Sequence, residues 1–442
     1  MKKRHIFTLF TIFLLITGLV GSAIALPVSR PSVEAADAIV LADLNTGDII
    51  FAQNEHNPIH PASTTKIMTA LLAVEALERG DVNINDMVAT SETALADMIE
   101  AGSAIGLEVG EEMTFEALLF ASMLISANDA TNVIAEHIAG SIDNFVQMMN
   151  DRARELGALN TTFRNPHGLT QDGHMTTAYD IFRISYFAVS LPRFADLYSM
   201  QERPFRATNE RPAGIFTSTN RLTDPDADGY YPGASGVKTG FTQAAGMCLV
   251  STATRDDISL LAVVMGVPTG IDGVNHFTET AALYDWAFEN LTYTELLPAT
   301  LEITRIPISL GDGRETIGLR PANAVNALVF EGMSLQDARQ EVTLFYDDDN
   351  PLIAPVNQGD ILGEITLHYG DRTFGPIPLV AAENVALSRT AYMRQELEST
   401  LGNIWVLVVI VVLVLLVLLY IVYAVNHAAK KRKKRRERMA RK

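Results

Sequence analysis

The chain has 442 residues, 48% of them apolar, with 52 Asp and Glu against 34 Lys and Arg and one cysteine, Cys248. Its formal charge of −18 averages unlike parts: the first 25 residues carry three basic groups, the last 17 carry ten against Glu437, and the remainder carries −30. Such an acidic body excludes nucleic-acid binding through bulk electrostatics, and a single cysteine excludes an intramolecular disulfide, so stability must come from burial.

At the start, Lys2-Lys3-Arg4, the apolar run from Ile6 to Val20 and Ala23-Ile24-Ala25 have the charge, length and small-residue ending of a secretory signal peptide, predicted over 1–25. Ala38–Asp43 and Ile49–Ala52 then read as two strands joined by the turn Leu44-Asn45-Thr46-Gly47-Asp48. Helical stretches are predicted over 63–79, 114–125, 128–138 and 141–156, and strands over 236–239, 246–253 and 259–266. Strands at both ends enclosing helices predict a mixed α/β (α+β) domain over 36–291, with an antiparallel sheet and a helical cluster.

Beyond the apolar helix around Ala281–Leu291, short alternating runs such as Val342–Tyr346 and Ile361–Leu367 predict a small all-β, sandwich-like domain over 292–382. A polar, helix-compatible juxtamembrane linker follows over 383–403. Ile404 to Val425 is 22 residues without a charge, long enough at about 1.5 Å per residue to cross a ~30 Å hydrocarbon core as a transmembrane helix. The basic tail over 426–442 predicts a cytoplasmic C-terminus with anionic-lipid contact, and hence a single-pass membrane protein whose body lies outside.

Three short motifs carry the chemistry: Ser63-Thr64-Thr65-Lys66, Ser126-Ala127-Asn128 and Lys238-Thr239-Gly240. Pro61-Ala62 leads Ser63 into the first turn of an apolar helix, and the i to i+3 spacing stacks Lys66 beneath it. A hydroxyl is a poor nucleophile without a base in reach, and a lysine desolvated by this helix loses its proton near neutral pH. Ser126 and Asn128 fall between two apolar helical runs, where a short loop directs a hydroxyl and an amide toward a cleft. Lys238 and Thr239 suit a substrate carboxylate, and Gly240 admits a close backbone approach. Taken singly, each string has a bland account as a helix cap, a surface lysine or a strand end; order and context favour the chemical one.

These motifs, with Asn165-Pro166-His167-Gly168-Leu169, Thr176-Thr177-Ala178-Tyr179-Asp180, Thr219-Asn220-Arg221-Leu222 and Gly236-Val237 ahead of Lys238, resemble the low-molecular-weight penicillin-binding proteins that are D-alanyl-D-alanine carboxypeptidases (serine peptidase family S11). The resemblance runs from about Ala36 to Asn384. It implies a β-lactamase/DD-peptidase-like fold, with the small β domain as a spacer, and a serine enzyme that removes the terminal D-alanine from peptidoglycan stem peptides ending in D-Ala-D-Ala. In that reading Ser63 is the nucleophile, Lys66 the general base, Ser126 the proton relay and Asn128 the positioning residue. Lys238, Thr239 and Gly240 bind substrate, the backbone N–H of Phe241 joins that of Ser63 at the oxyanion, and β-lactams acylate the same serine.

Two departures accompany the resemblance: Val267–Asn275 lacks the basic residue that some relatives use on the carboxylate, leaving His276 as the first candidate, and a full span replaces the usual surface helix. The alternatives are a DD-endopeptidase of the same family and, from another class, a non-catalytic wall-binding scaffold. A β-lactamase is disfavoured because Glu155–Asn160 is one residue too long for Glu-x-x-x-Asn. His167 reads as part of a structural turn rather than a triad, and no metal or cofactor is expected.

Overall fold

The computed structural model describes residues 30–98, 102–347, 349–370, 372–402 and 404–439, and the expected signal peptide lies outside them. The chain divides into two compact units, the first running to Thr294 with Ala327–Met333 added, the second comprising Glu295–Asn326 and the chain from Ser334 onward.

In the first unit the predicted hairpin is present as β1 (Ala38–Asp43) and β2 (Ile49–Gln53). Helices α1 (Lys66–Arg79), α2 (Phe115–Leu124), α3 (Asn128–Ala139), α4 (Ile142–Glu155) and α5 (Ala178–Val189) follow. Strands β3 (Ala234–Thr242), β4 (Gly246–Arg255) and β5 (Ile258–Val267) and helix α6 (His276–Asn290) close the unit. Helix starts are set by side-chain caps: Thr114 accepts from the Ala117 N–H, Ser141 from Asn144 and Thr177 from Asp180. Gly80 ends α1 at φ +76°, in the left-handed conformation that glycine adopts without steric cost.

The sheet order is β2-β1-β5-β4-β3, antiparallel throughout. Alternation along a strand sends neighbouring residues to opposite faces. Ala38, Val40, Ala42, Leu261, Val263 and Met265 pack with the helical cluster, whereas Ile39, Leu41, Leu260, Ala262 and Val264 pack with Leu283, Tyr284 and Ala287 of α6. Because both faces are covered, β1 and β5 read as near-continuous apolar runs although their pairing is antiparallel.

The second unit holds β6 (Thr304–Pro307), β7 (Thr316–Pro321), β8 (Arg339–Leu344), β9 (Ile361–Tyr369) and β10 (Arg372–Ala381). Among the described residues these strands form an antiparallel sheet in the order β6-β7-β10-β9-β8. Ile317, Leu319, Ile365, Leu367 and Leu379 supply its buried side. The linker is largely helical as α7 (Arg389–Gly402), and α8 (Ile404–Met439) is long and apolar enough to cross a membrane, its helix continuing into the basic tail.

Candidate active site

The expected α-helical first turn at Ser63 is a 3-10 turn, Ala62–Thr65, and the α-helix proper begins at Lys66. Helix ends commonly tighten in this way. Two contacts hold the turn: Thr64 Oγ1 donates to the Pro61 carbonyl at 2.6 Å, and Thr65 Oγ1 lies 3.1 Å from His174 Nε2. Ala62 sits at φ +47°, an uncommon conformation for a residue with a Cβ. Gly168 passes so close that a Cβ there would fall 1.8 Å from the Ala62 oxygen.

Lys66 is fully buried, and its Nζ donates to Ser63 Oγ at 3.2 Å, to Asn128 Oδ1 at 2.6 Å and to the His167 carbonyl at 2.7 Å. Burial, and after it the charge of Lys238, hold the ammonium well below the usual lysine range, against the opposing pull of the Asp129 carboxylate. Lys66 thus donates all three of its hydrogens, one of them toward a serine hydroxyl, at a place where burial favours the neutral amine.

Asn128 is placed by the start of α3. Its N–H donates to the Ser103 carbonyl at 2.8 Å, and the neighbouring Asp129 carboxylate accepts the N–H groups of Ile105, Gly106 and Leu107 at 3.2, 2.8 and 3.0 Å. Ser126, just ahead, is at φ +63°, a conformation that costs on the order of 1–3 kcal/mol for a residue with a side chain. Its buried Oγ has no hydrogen-bond partner among the described residues. A strained residue aiming an unsatisfied hydroxyl is a common mark of a functional position.

The third wall is β3, the edge strand of the sheet, which pairs with β4 on one side only among the described residues. Lys238 is buried with Nζ 3.0 Å from the Thr239 carbonyl, and burial pushes its pKa down to about 7. Thr239 Oγ1 lies 2.8 Å from Thr219 Oγ1, and the Thr219 N–H is held by the Leu124 carbonyl at 3.0 Å. A Cβ on Gly240 would meet Ser63 N at 3.1 Å, so the glycine lets the strand lie against the Ser63 turn. Phe241 follows on the same strand with its ring half exposed.

All three motifs therefore meet around Ser63, although they lie far apart in the chain. Two partners were not assigned from sequence: the His167 carbonyl on Lys66 and the Thr219 hydroxyl on Thr239. Both belong to motifs that the sequence displayed, but a backbone oxygen leaves no mark in residue identity. Both nitrogens of the His167 ring are occupied away from Ser63, Nε2 by Asp97 at 3.0 Å and Nδ1 by the Leu169 N–H at 3.2 Å, as suits a turn residue rather than a triad base. His276 opens α6 with its ring 4.0 Å from that of Phe277 and Nδ1 unpartnered; burial pushes its pKa down to about 4, so it is neutral at pH 7. Cys248 is buried and its thiol is pushed up to about 12, the behaviour of a small core residue. Among the described residues no cluster of three or more His, Cys, Asp or Glu side chains could hold a metal ion.

Comparison with known proteins gives one consistent result. The sequence model of the D-alanyl-D-alanine carboxypeptidase family matches residues 25–269. The chain is 33% identical over 350 residues to D-alanyl-D-alanine carboxypeptidase DacF of Bacillus subtilis, covering 79% of this chain and 86% of the relative. Penicillin-binding protein 5 from Haemophilus influenzae superposes with a TM-score of 0.65 at 29% identity, covering 81% of this chain and 99% of that one. Penicillin-binding protein D2 from Listeria monocytogenes, solved in the cefotaxime-bound form, superposes with a TM-score of 0.51 at 25% identity over 59% of this chain and all (100%) of that one.

Proposed function

Since this chain belongs to the D-alanyl-D-alanine carboxypeptidase family of serine hydrolases, we propose that it releases the terminal D-alanine from peptidoglycan stem pentapeptides through an acyl-enzyme on Ser63. The observation that carries the reading is the contact of the buried Lys66 amine with the Ser63 hydroxyl, 3.2 Å, on a lysine whose burial favours the neutral form.

Lys66 takes the Ser63 proton as Oγ attacks the carbonyl of the penultimate D-alanine. The negative charge that develops on that oxygen is met by the backbone N–H groups of Ser63 and Phe241, an arrangement supported by the approach of Gly240 to Ser63 N. Loss of one such donor typically costs about 3 kcal/mol in the transition state. Ser126, whose hydroxyl has no other partner among the described residues, passes a proton to the leaving amine, and D-alanine departs. Asn128 orients Lys66 and the substrate amide. Lys238 and Thr239 receive the terminal carboxylate, which explains an ammonium buried with no acidic partner in contact among the described residues. Water then hydrolyses the ester and returns Ser63 to its starting form.

β-Lactams acylate the same serine in this reading, in keeping with the cefotaxime-bound relative. The long apolar helix α8 anchors the enzyme in the membrane, with the basic residues after it in the cytoplasm and the catalytic unit outside.

The test uses the purified protein and a pentapeptide ending in D-Ala-D-Ala. D-Alanine should be released by the parent and not by Ser63→Ala, and a fluorescent penicillin should label only the parent. A parent that neither releases D-alanine nor takes the label would overturn the reading.

A further inference from the structure

We infer that Asp97 is a positioning residue for Lys66, acting through the His167 imidazole and the His167 backbone carbonyl. The inference rests on the reading of Lys66 as the base.

As an ammonium, Lys66 satisfies three acceptors at once: Ser63 Oγ, Asn128 Oδ1 and the His167 oxygen. Once neutral, it has two N–H groups and one lone pair. The lone pair faces Ser63 Oγ only if both hydrogens stay on the other two acceptors. Either acceptor moving away frees the amine to turn a hydrogen toward the hydroxyl it should deprotonate. Catalysis therefore depends on where the His167 carbonyl is held.

That carbonyl lies in an irregular turn, followed by Gly168 at φ +93°, and no helix or strand ladder fixes it. From its nitrogen side the same peptide is held by the Gly168 N–H, which donates to Asn165 Oδ1 at 2.7 Å, and from the residue's own side it is held by the imidazole. Its Nδ1 accepts the Leu169 N–H at 3.2 Å, which leaves the ring proton on Nε2 to be donated to Asp97 Oδ2 at 3.0 Å. Burial, with the Lys66 charge adding to it, lowers the His167 pKa against the opposing pull of Asp97, and favours this neutral tautomer. Asp97 Oδ1 in turn accepts from Asn132 Nδ2 at 2.7 Å, and the same amide donates to the Ala94 carbonyl at 2.9 Å.

Asn132 stands one helical turn beyond Asn128 on α3. One helix thus holds both acceptors of the neutral amine, Asn128 directly and His167 through Asp97. The Asp97 side chain is 47% exposed, so its removal should not by itself unfold the unit.

The experiment compares Asp97→Ala and Asp97→Asn with the parent as full-length protein in detergent micelles, following acylation by a fluorescent penicillin against concentration. Asp97→Ala is expected to lower the limiting acylation rate about tenfold, with the pre-acylation dissociation constant held within about twofold. Asp97→Asn, whose single amide oxygen can still accept from Nε2 at the expense of the bond from Asn132 Nδ2, is expected to recover part of that loss. Parental acylation by Asp97→Ala, a loss confined to the dissociation constant, or equal losses in both variants would each overturn the positioning role. If the parent itself fails to acylate at Ser63, the reading of Lys66 falls, and this inference falls with it.

Discussion

Lys66 and Lys238 are two buried amines in one site: neither is more than 2% exposed, and after burial itself the charge of Lys238 is the largest influence lowering the pKa of Lys66. Removing that charge in Lys238→Met should let Lys66 hold its proton more tightly. The acid limb of the acylation pH profile is therefore expected to move to higher pH, in addition to any loss of substrate affinity. An acid limb that stays in place or moves lower would contradict the coupling.

The same burial has a cost in stability. Lys238 has a pKa of about 7 folded and the ordinary lysine value of 10.5 unfolded, so between these limits the unfolded chain binds the extra proton and stability rises with pH. The penalty is fully present below pH 7 and is gone above the unfolded value. Lys238→Met should accordingly stabilise the fold most below pH 7, by at most about 5 kcal/mol, read as a higher melting temperature whose gain shrinks as pH rises above 7. A gain independent of pH would show that packing, not charge burial, is responsible.

Gly240→Ala tests the approach of β3 to the nucleophile. The added Cβ meets Ser63 N at 3.1 Å, Ala62 Cβ at 3.2 Å and Thr64 N at 3.3 Å, so strand and turn must separate by a few tenths of an ångström. Acylation is expected to slow by about tenfold to a hundredfold, with little change in melting temperature. Unchanged penicillin labelling would mean that this spacing is not critical.

Gly168→Ala should behave differently, as a folding lesion. Its φ is +93°, and its Cβ would lie 1.8 Å from the Ala62 oxygen, a backbone atom that cannot rotate away. A loss of more than about 3 kcal/mol is expected, read by thermal or denaturant unfolding, with labelling lost in parallel.

Thr219→Val removes the hydroxyl that lies 2.8 Å from Thr239 Oγ1 while keeping its shape. The proposed carboxylate role of Thr239 predicts that KM for a D-Ala-D-Ala peptide rises several-fold more than kcat falls, and that Thr239→Val loses most carboxypeptidase activity. An intact Thr239→Val enzyme would refute that role.

Much of the chemistry was legible before any coordinates, because it resides in residue types at fixed local spacing. Ser63 and Lys66 are three apart and share a helix face, Lys238 to Gly240 announce a strand edge, and Ile404 to Val425 is apolar over a bilayer's length. The alternation of β1 and β5 with helix-forming stretches was enough for a mixed fold with an antiparallel sheet. The strand order of the second unit's sheet was not legible, since short alternating strands look alike whichever neighbour they pair with.

By itself, then, the sequence determined which chemical groups the chain carries and the order in which they occur, since hydroxyls, amines and apolar runs keep their character wherever they lie. Only the tertiary structure decided what surrounds them. The carbonyl of His167 reaches Lys66 across 101 residues of chain and Asp97 reaches the His167 ring across 70. Every residue but proline carries the same N–H and C=O, so which carbonyl turns toward a buried amine is settled by packing and not by composition.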